Sequence, residues 1–161
     1  MDRLDQVLTS LRRVIRATDL HSKHLAKISG LTAPQILLLQ AICKFEGAAI
    51  GQLANEVSLS QATVTSILDR LEKKGYLERE RSTVDKRKVH VQLTERGFEI
   101  LRDAPIPLQE QFAAQFNGLQ EWEQTMIIAA LQRVAYMMDA EHIDASPVLD
   151  VGALDRPHEA P

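Results

Sequence analysis

The stretch that most restricts this chain is "IGQLANEVSLSQATVTSILDRLEKKGYL", residues 50 to 77. It reads as two short helices with almost nothing between them. The first, "IGQLANEV", carries Leu53, Ala54 and Val57 on one side. The second opens at Ser60, a good N-cap, and closes at Gly75, a typical residue just past a helix end. Only the few residues around Ser58 and Leu59 separate them, the spacing of a helix-turn-helix.

The hydrophobic period then drops from 3.6 to 2. "YLERERS" puts Leu77, Arg79 and Arg81 on one face, and "KVHVQL" puts Val89, Val91 and Leu93 on one face with Lys88, His90 and Gln92 opposite. Two such strands joined near residues 82 to 87 make a hairpin. Thr94 follows as the N-cap of a further helix, in which Pro105 and Pro107 should force a break.

Long helical patterns flank this centre. Leu4, Val7, Leu8, Leu11, Val14 and Ile15 recur at three-four spacing, and the pattern ends at Gly30. Thr32 with Gln35 forms a capping-box signature, with Pro34 tolerated in the first turn. The helix it starts, "APQILLLQAICKF", is apolar nearly all round, which predicts enclosure on several sides and a buried thiol at Cys43. A last helix runs from Glu121 to about Glu141 after the turn "NGL". The tail "DASPVLDVGALDRPHEAP" has three prolines and no period, so disorder is expected there. The predicted class is mainly α with a small β-hairpin wing. A winged helix-turn-helix spans 31–99, a helical dimerisation region spans 1–30 and 100–143, and a flexible tail covers 144–161.

Charge is uneven. The chain carries a formal net charge of -3, yet residues 79 to 96 hold six cations (Arg79, Arg81, Lys86, Arg87, Lys88, Arg96) against three acids. From Leu119 onward eight acids face two cations. A basic patch on an acidic protein points to a local polyanion contact. The single cysteine excludes an intrachain disulfide and any multi-cysteine metal site, and fits a reducing cytoplasm. The N-terminal "MDRLDQVLTS" has no apolar core for a signal peptide, and no apolar run approaches the roughly 20 residues of a membrane span. No glycine-rich phosphate loop, nucleophile elbow or paired His–Cys constellation is present, which argues against an enzyme and implies no cofactor.

Plotted as a wheel, the second helix of the pair gathers Val64, Ile67, Leu68 and Leu71 on a core side. Ala62, Thr65, Ser66, Asp69 and Lys73 lie opposite, with Gln61 near the exposed start. Small and hydroxyl-bearing side chains allow close approach to base edges in a major groove, and the helix N-terminus offers N–H groups to phosphate. A merely solvated face is the plain alternative; the basic hairpin that follows disfavours it. The residues expected to contact DNA are Ser60, Gln61, Ala62, Thr63, Thr65, Ser66 and Arg70 on the helix, and Arg81, Asp85, Lys86, Arg87 and Lys88 on the wing. A cationic hairpin tip reaches a minor groove or its phosphates. Asp85, two residues from Arg87, is expected to hold its guanidinium; a surface pair of little energetic weight is the alternative.

At these residues the chain resembles the multiple antibiotic resistance regulator (MarR) family of transcription factors. The resemblance is carried by "GLTAPQILLLQAI" and by "IGQLANEVSLSQATVTSILDRLEKKGYLERERSTVDKRKVHVQLTERG", and extends over about residues 5 to 140. It implies that Asp85 and Arg87 form the family's wing motif, with the arginine in the minor groove, and that Ser60 through Lys74 is the recognition helix. It also implies a homodimer on a pseudo-palindromic double-stranded operator, and repression relieved by a small-molecule effector or by oxidation. The apolar stripe of the first helix agrees, since a small monomer would leave it exposed. Leu4, Leu8, Leu11, Ile15, Trp122, Met126 and Leu131 are the expected dimer contacts.

Other candidates weigh less. His21 and His24 are spaced to share a metal, but no further ligands lie near them in sequence. Trp122, Met126, Met137 and Met138 read as core or interface before ligand pocket. His90 either touches phosphate or does not, with nothing to decide it. A redox- or metal-responsive regulator and a winged helix that docks protein are the rival functions; the second has no need of Lys86, Arg87 and Lys88.

Overall fold

In a computed structural model, residues 2–143 and 148–149 are described. The organising element is α2 (Ala33–Lys44). Its start is fixed by the capping box expected from sequence: Thr32 Oγ1 accepts the Gln35 N–H at 3.4 Å, and Gln35 Oε1 accepts the Thr32 N–H at 3.0 Å. Eight of its twelve residues are buried, among them Ile36, Leu38, Leu39 and Ile42. It packs against α3 (Ile50–Val57), α4 (Gln61–Lys73), the second strand of the hairpin and α5 (Glu95–Asp103). Leu53, Val64, Ile67, Leu68, Leu71, Leu77 and Val91 close the core around it. Each such side chain gains roughly 1.5–3 kcal/mol on burial.

The joint between α3 and α4 is as short as the sequence suggests. Ser58 adopts a left-handed conformation (φ 55°), and the Leu59 N–H turns back to the Ala54 carbonyl at 3.0 Å. Past α4, Gly75 supplies the left-handed residue (φ 79°) and Tyr76 N–H reaches the Leu71 carbonyl at 3.0 Å. This closes the helix and turns the chain into β1 (Leu77–Arg81). β1 pairs antiparallel with β2 (Val89–Leu93), Leu77 opposite Leu93 and Arg81 opposite Val89. A bridge between Ala49 and His90 adds a short third edge, where Val91 N–H donates to the Ala48 carbonyl at 3.1 Å.

Thr94 anchors the exit of the hairpin. Its hydroxyl donates to the Gly75 carbonyl at 2.6 Å and accepts the Gly97 N–H at 3.1 Å. α5 stops at Asp103 and α6 (Leu108–Asn117) resumes after Pro107, so the prolines interrupt the helix as expected. The prolines lack the N–H that would carry the ladder through.

The remaining helices bury little within the chain. α1 (Arg3–Ser29) contributes only Leu25 and Ser29 to the interior, and α6 and α7 (Glu121–Met137) contribute none. Leu4, Val14, Ile15, Trp122, Met126 and Leu131 are all more than half exposed. Among the described residues no single helix is long and apolar enough to cross a membrane.

One expectation needs correcting. Cys43 is exposed, not buried: α2 is enclosed on most of its circumference, but its last turn emerges from the core. The tail expected to be flexible is described only at Val148 and Leu149, the rest lying outside the described residues. Val148 is buried in the core cluster, and Leu149 N–H donates to Gln109 Oε1 at 3.0 Å.

Among the described glycines, Gly97 has the least room for a side chain. A Cβ there would drive into the Tyr76 carbonyl oxygen, which is backbone and cannot swing away. Gly97→Ala should destabilise the protein by about 3 kcal/mol, the upper range for overpacking, whereas Gly118→Ala, which meets only ordinary contacts, should cost under about 1 kcal/mol. Urea denaturation of both variants checks this.

Candidate DNA-binding surface

α4 begins with a hydroxyl cap: Ser60 Oγ accepts the Thr63 N–H at 3.1 Å. The cap leaves the other amino-terminal N–H groups free for a partner, and the helix dipole makes that end electropositive. Val64, Ile67, Leu68 and Leu71 are fully enclosed. Their burial turns the opposite side outward: Gln61 and Ala62 are exposed, while Thr63, Thr65, Ser66 and Arg70 are half-buried. That is the small, hydroxyl-bearing surface the wheel predicts. Gln61 also lies close to Gly51, where its amide would be only 3.3 Å from a Cβ.

The wing loop is tied down by its own polar groups. Ser82 Oγ accepts the N–H groups of Val84 and Asp85 at 3.2 and 3.3 Å. Ser82 N–H donates to the Lys88 carbonyl at 2.9 Å, and Lys88 N–H to the Asp85 carbonyl at 2.9 Å. Asp85 Oδ1 accepts the Arg87 backbone N–H at 3.0 Å. The sequence predicts that Asp85 holds the Arg87 guanidinium; in the structure it instead caps the turn beneath that residue. A two-residue separation suits this local bond better than a side-chain pair, because a short carboxylate reaches the N–H two residues on with no need for a long arm to fold back. Lys86, Arg87 and Lys88 all stand exposed.

Arg79, by contrast, is not a free cation. Its Nε donates to Glu72 Oε2 at 2.7 Å, and a terminal nitrogen lies 2.6 Å from Asp69 Oδ1 and contacts Glu72 as well. Burial by itself would lower its pKa; the hydrogen bonds and charges of Glu72 and Asp69 outweigh that and raise it. The basic patch thus resides in the wing tip, not along the whole of β1.

A capped, hydroxyl-faced helix beside a cationic hairpin has the chemistry to meet a polyanion, and comparison with known proteins gives the family. Residues 31–89 match the family model described as MarR family. The chain is 30% identical over 122 residues to the uncharacterized HTH-type transcriptional regulator YkoM of Bacillus subtilis, a span covering 75% of this chain and 79% of that relative. The chain belongs to the MarR family. Two solved structures share its fold. Bordetella bronchiseptica BpsR is 27% identical with a TM-score of 0.54, covering 81% of this chain and 98% of that one; its structure addresses regulation of DNA binding by 6-hydroxynicotinic acid. Streptococcus pneumoniae FabT in complex with DNA is 26% identical with a TM-score of 0.51, covering 85% and 96%. YkoM is named a transcriptional regulator, and the BpsR and FabT structures both concern DNA binding.

Within this MarR-family frame the weaker candidates find their places. His90 does not project freely from the wing: Nδ1 sits 2.6 Å from the Gly47 carbonyl and is half-buried. His21 and His24 acquire no partners for a metal, since no group of three or more His, Cys, Asp or Glu gathers among the described residues. The sequence reading missed Glu72, Lys74 and Ser82. Lys74 Nζ donates to the Gly30 carbonyl at 3.2 Å, joining the end of α4 to the end of α1. Burial and the neighbouring Arg70 lower its pKa. Only Ser82, three residues before Asp85 in a turn-rich segment, carried a sequence signal.

Two substitutions separate the elements of this surface. Ser60→Ala should cost about 1 kcal/mol of stability through the lost cap, read by thermal denaturation. Arg87→Ala should leave stability unchanged, weaken DNA binding about tenfold and reduce the salt slope by about 1 per site, read by fluorescence anisotropy.

Proposed function

We propose that the protein is a homodimeric repressor that grips a pseudo-palindromic operator with two α4 helices and two wings, and lets go when a small ligand binds. The observation that carries this reading is the pairing of a hydroxyl-faced helix with an exposed Lys86–Arg87–Lys88 tip on an acidic chain. The helix face suits base edges in a major groove; the tip suits an adjacent minor groove or its phosphates. Asp85, spent on the Arg87 backbone, helps to present that arginine outward.

The dimer reading rests on the flanking helices. Residues 1–30 and 100–143 would form the dimerisation region, with Leu4, Leu8, Leu11, Ile15, Trp122, Met126 and Leu131 meeting the second copy. Most of these are exposed in the single chain, and apolar surface on that scale marks a partner. Two-fold symmetry would set the recognition helices one DNA turn apart. Residues 31–99 would read the operator. The protein would act in the cytoplasm, where its DNA lies. Ligand control is supported by the likeness to BpsR, and DNA binding by the likeness to FabT.

The test is selection of a binding site from a random-sequence duplex library, followed by titration at two salt concentrations. An enriched two-fold-symmetric site, bound at least about a thousandfold more tightly than random DNA, is the expected result; no enriched site contradicts the proposal. For the assembly, light scattering at micromolar concentration should give twice the chain mass of 18.0 kDa. A monomer mass would contradict the dimer. Leu8→Asp with Ile15→Asp should shift the wild-type dimer toward monomer.

A further inference from the structure

We propose that Arg79 is a positioning residue that locks the wing to the recognition helix, so that sequence discrimination depends on the two elements engaging DNA as one rigid body. The proposal rests on the DNA-binding reading above and concerns a contact that touches no DNA.

Arg79 stands on β1 opposite Val91, and its side chain is only 25% exposed. Asp69 and Glu72 stand three residues apart on α4, and neighbours at that spacing share a helix side. One guanidinium spans both carboxylates, through Nε to Glu72 and through a terminal nitrogen to Asp69 and Glu72. The planar fork of arginine fixes direction as well as distance, which an ammonium does not. The backbone between α4 and β1 passes through Gly75, a residue with wide conformational freedom at φ 79°. Leu77 and Val91 seat the base of the hairpin in the core, but the turn alone sets no angle for the distal half that carries Lys86, Arg87 and Lys88.

Electrostatics makes the two acids hard to explain otherwise. Asp69 and Glu72 are 49% and 38% exposed on a helix meant to approach phosphates. Carboxylates there oppose binding, and their neutral amides would favour it. Ion pairs this exposed add little to stability. What they do supply is a fixed mount for Arg79. Charge and geometry therefore predict opposite outcomes for the same substitution.

The experiment uses the full chain. Wild type is titrated against its library-selected duplex and against random duplex, at two salt concentrations. A clear preference for the selected duplex establishes the DNA-binding reading; its absence sinks that reading and the lock with it. The variant D69N/E72Q then tests the lock alone. It gives the helix two fewer negative charges and releases Arg79. With a lock, affinity for the selected duplex falls about tenfold while affinity for random duplex holds or rises, so the specificity ratio drops by more than about tenfold. Arg87→Ala should also cost less in this background than in wild type, a loss of coupling between wing and helix. If D69N/E72Q binds the selected duplex as tightly as wild type or more tightly, the proposal is overturned. Arg79→Lys keeps the charge and removes the fork. It should lower the specificity ratio in the same direction with an unchanged melting temperature, and a wild-type ratio for Arg79→Lys overturns the lock even where the double variant fails to fold.

Discussion

Val64, Ile67, Leu68 and Leu71 are held without solvent contact against the central helix α2, and that packing fixes the rotation of α4 about its own axis. Everything outward-facing follows from it. A rotation of one residue, about 100°, would bury Thr65 or Asp69 and expose leucine, at several kcal/mol for the buried polar group alone. The surface made of Gln61, Ala62, Thr65 and Ser66 is thus the complement of the core, not an independent feature. The capping box at Thr32 and Gln35 matters for the same reason, since it fixes where α2 begins and so where its apolar rows meet α4.

The charge distribution is a second layer on this frame. A chain of net charge -3 is repelled by DNA at long range, so attraction has to be local. Lys86, Arg87 and Lys88, exposed at the tip of a hairpin whose turn is closed by Ser82 and Asp85, are the cations proposed to supply it. Arg79, adjacent in sequence to the same patch, is withdrawn by Asp69 and Glu72. Counting charge along the chain merged these two roles; the fold separates them.

The elements visible in the sequence are those whose signals are local. Caps at Ser60, Thr94 and Thr32, the left-handed glycines at 30 and 75 and the breaks at Pro105 and Pro107 all act within a few residues, and each marks an observed boundary. The wheel of α4 was legible for the same reason. What escaped depends on partners distant in the chain. His90 meets Gly47, Lys74 meets Gly30 and Leu149 meets Gln109, each across 40 residues or more. Cys43 shows the converse: an apolar run predicts average enclosure, but one position near a helix end escapes it. For Asp85 the sequence points to the right arginine and the wrong atom, because a carboxylate two residues upstream serves the backbone N–H as readily as the side chain.

The most direct test of a helix and a wing acting together is hydroxyl-radical footprinting on the library-selected duplex, run beside methylation protection of guanine N7. The expected pattern is protected N7 positions in two major grooves one turn apart, flanked by minor-groove tracts shielded from cleavage. With Arg87→Ala the minor-groove protection should vanish while the N7 protection remains. A wild-type footprint with no minor-groove protection, or one that Arg87→Ala leaves unchanged, would contradict the role assigned to the wing.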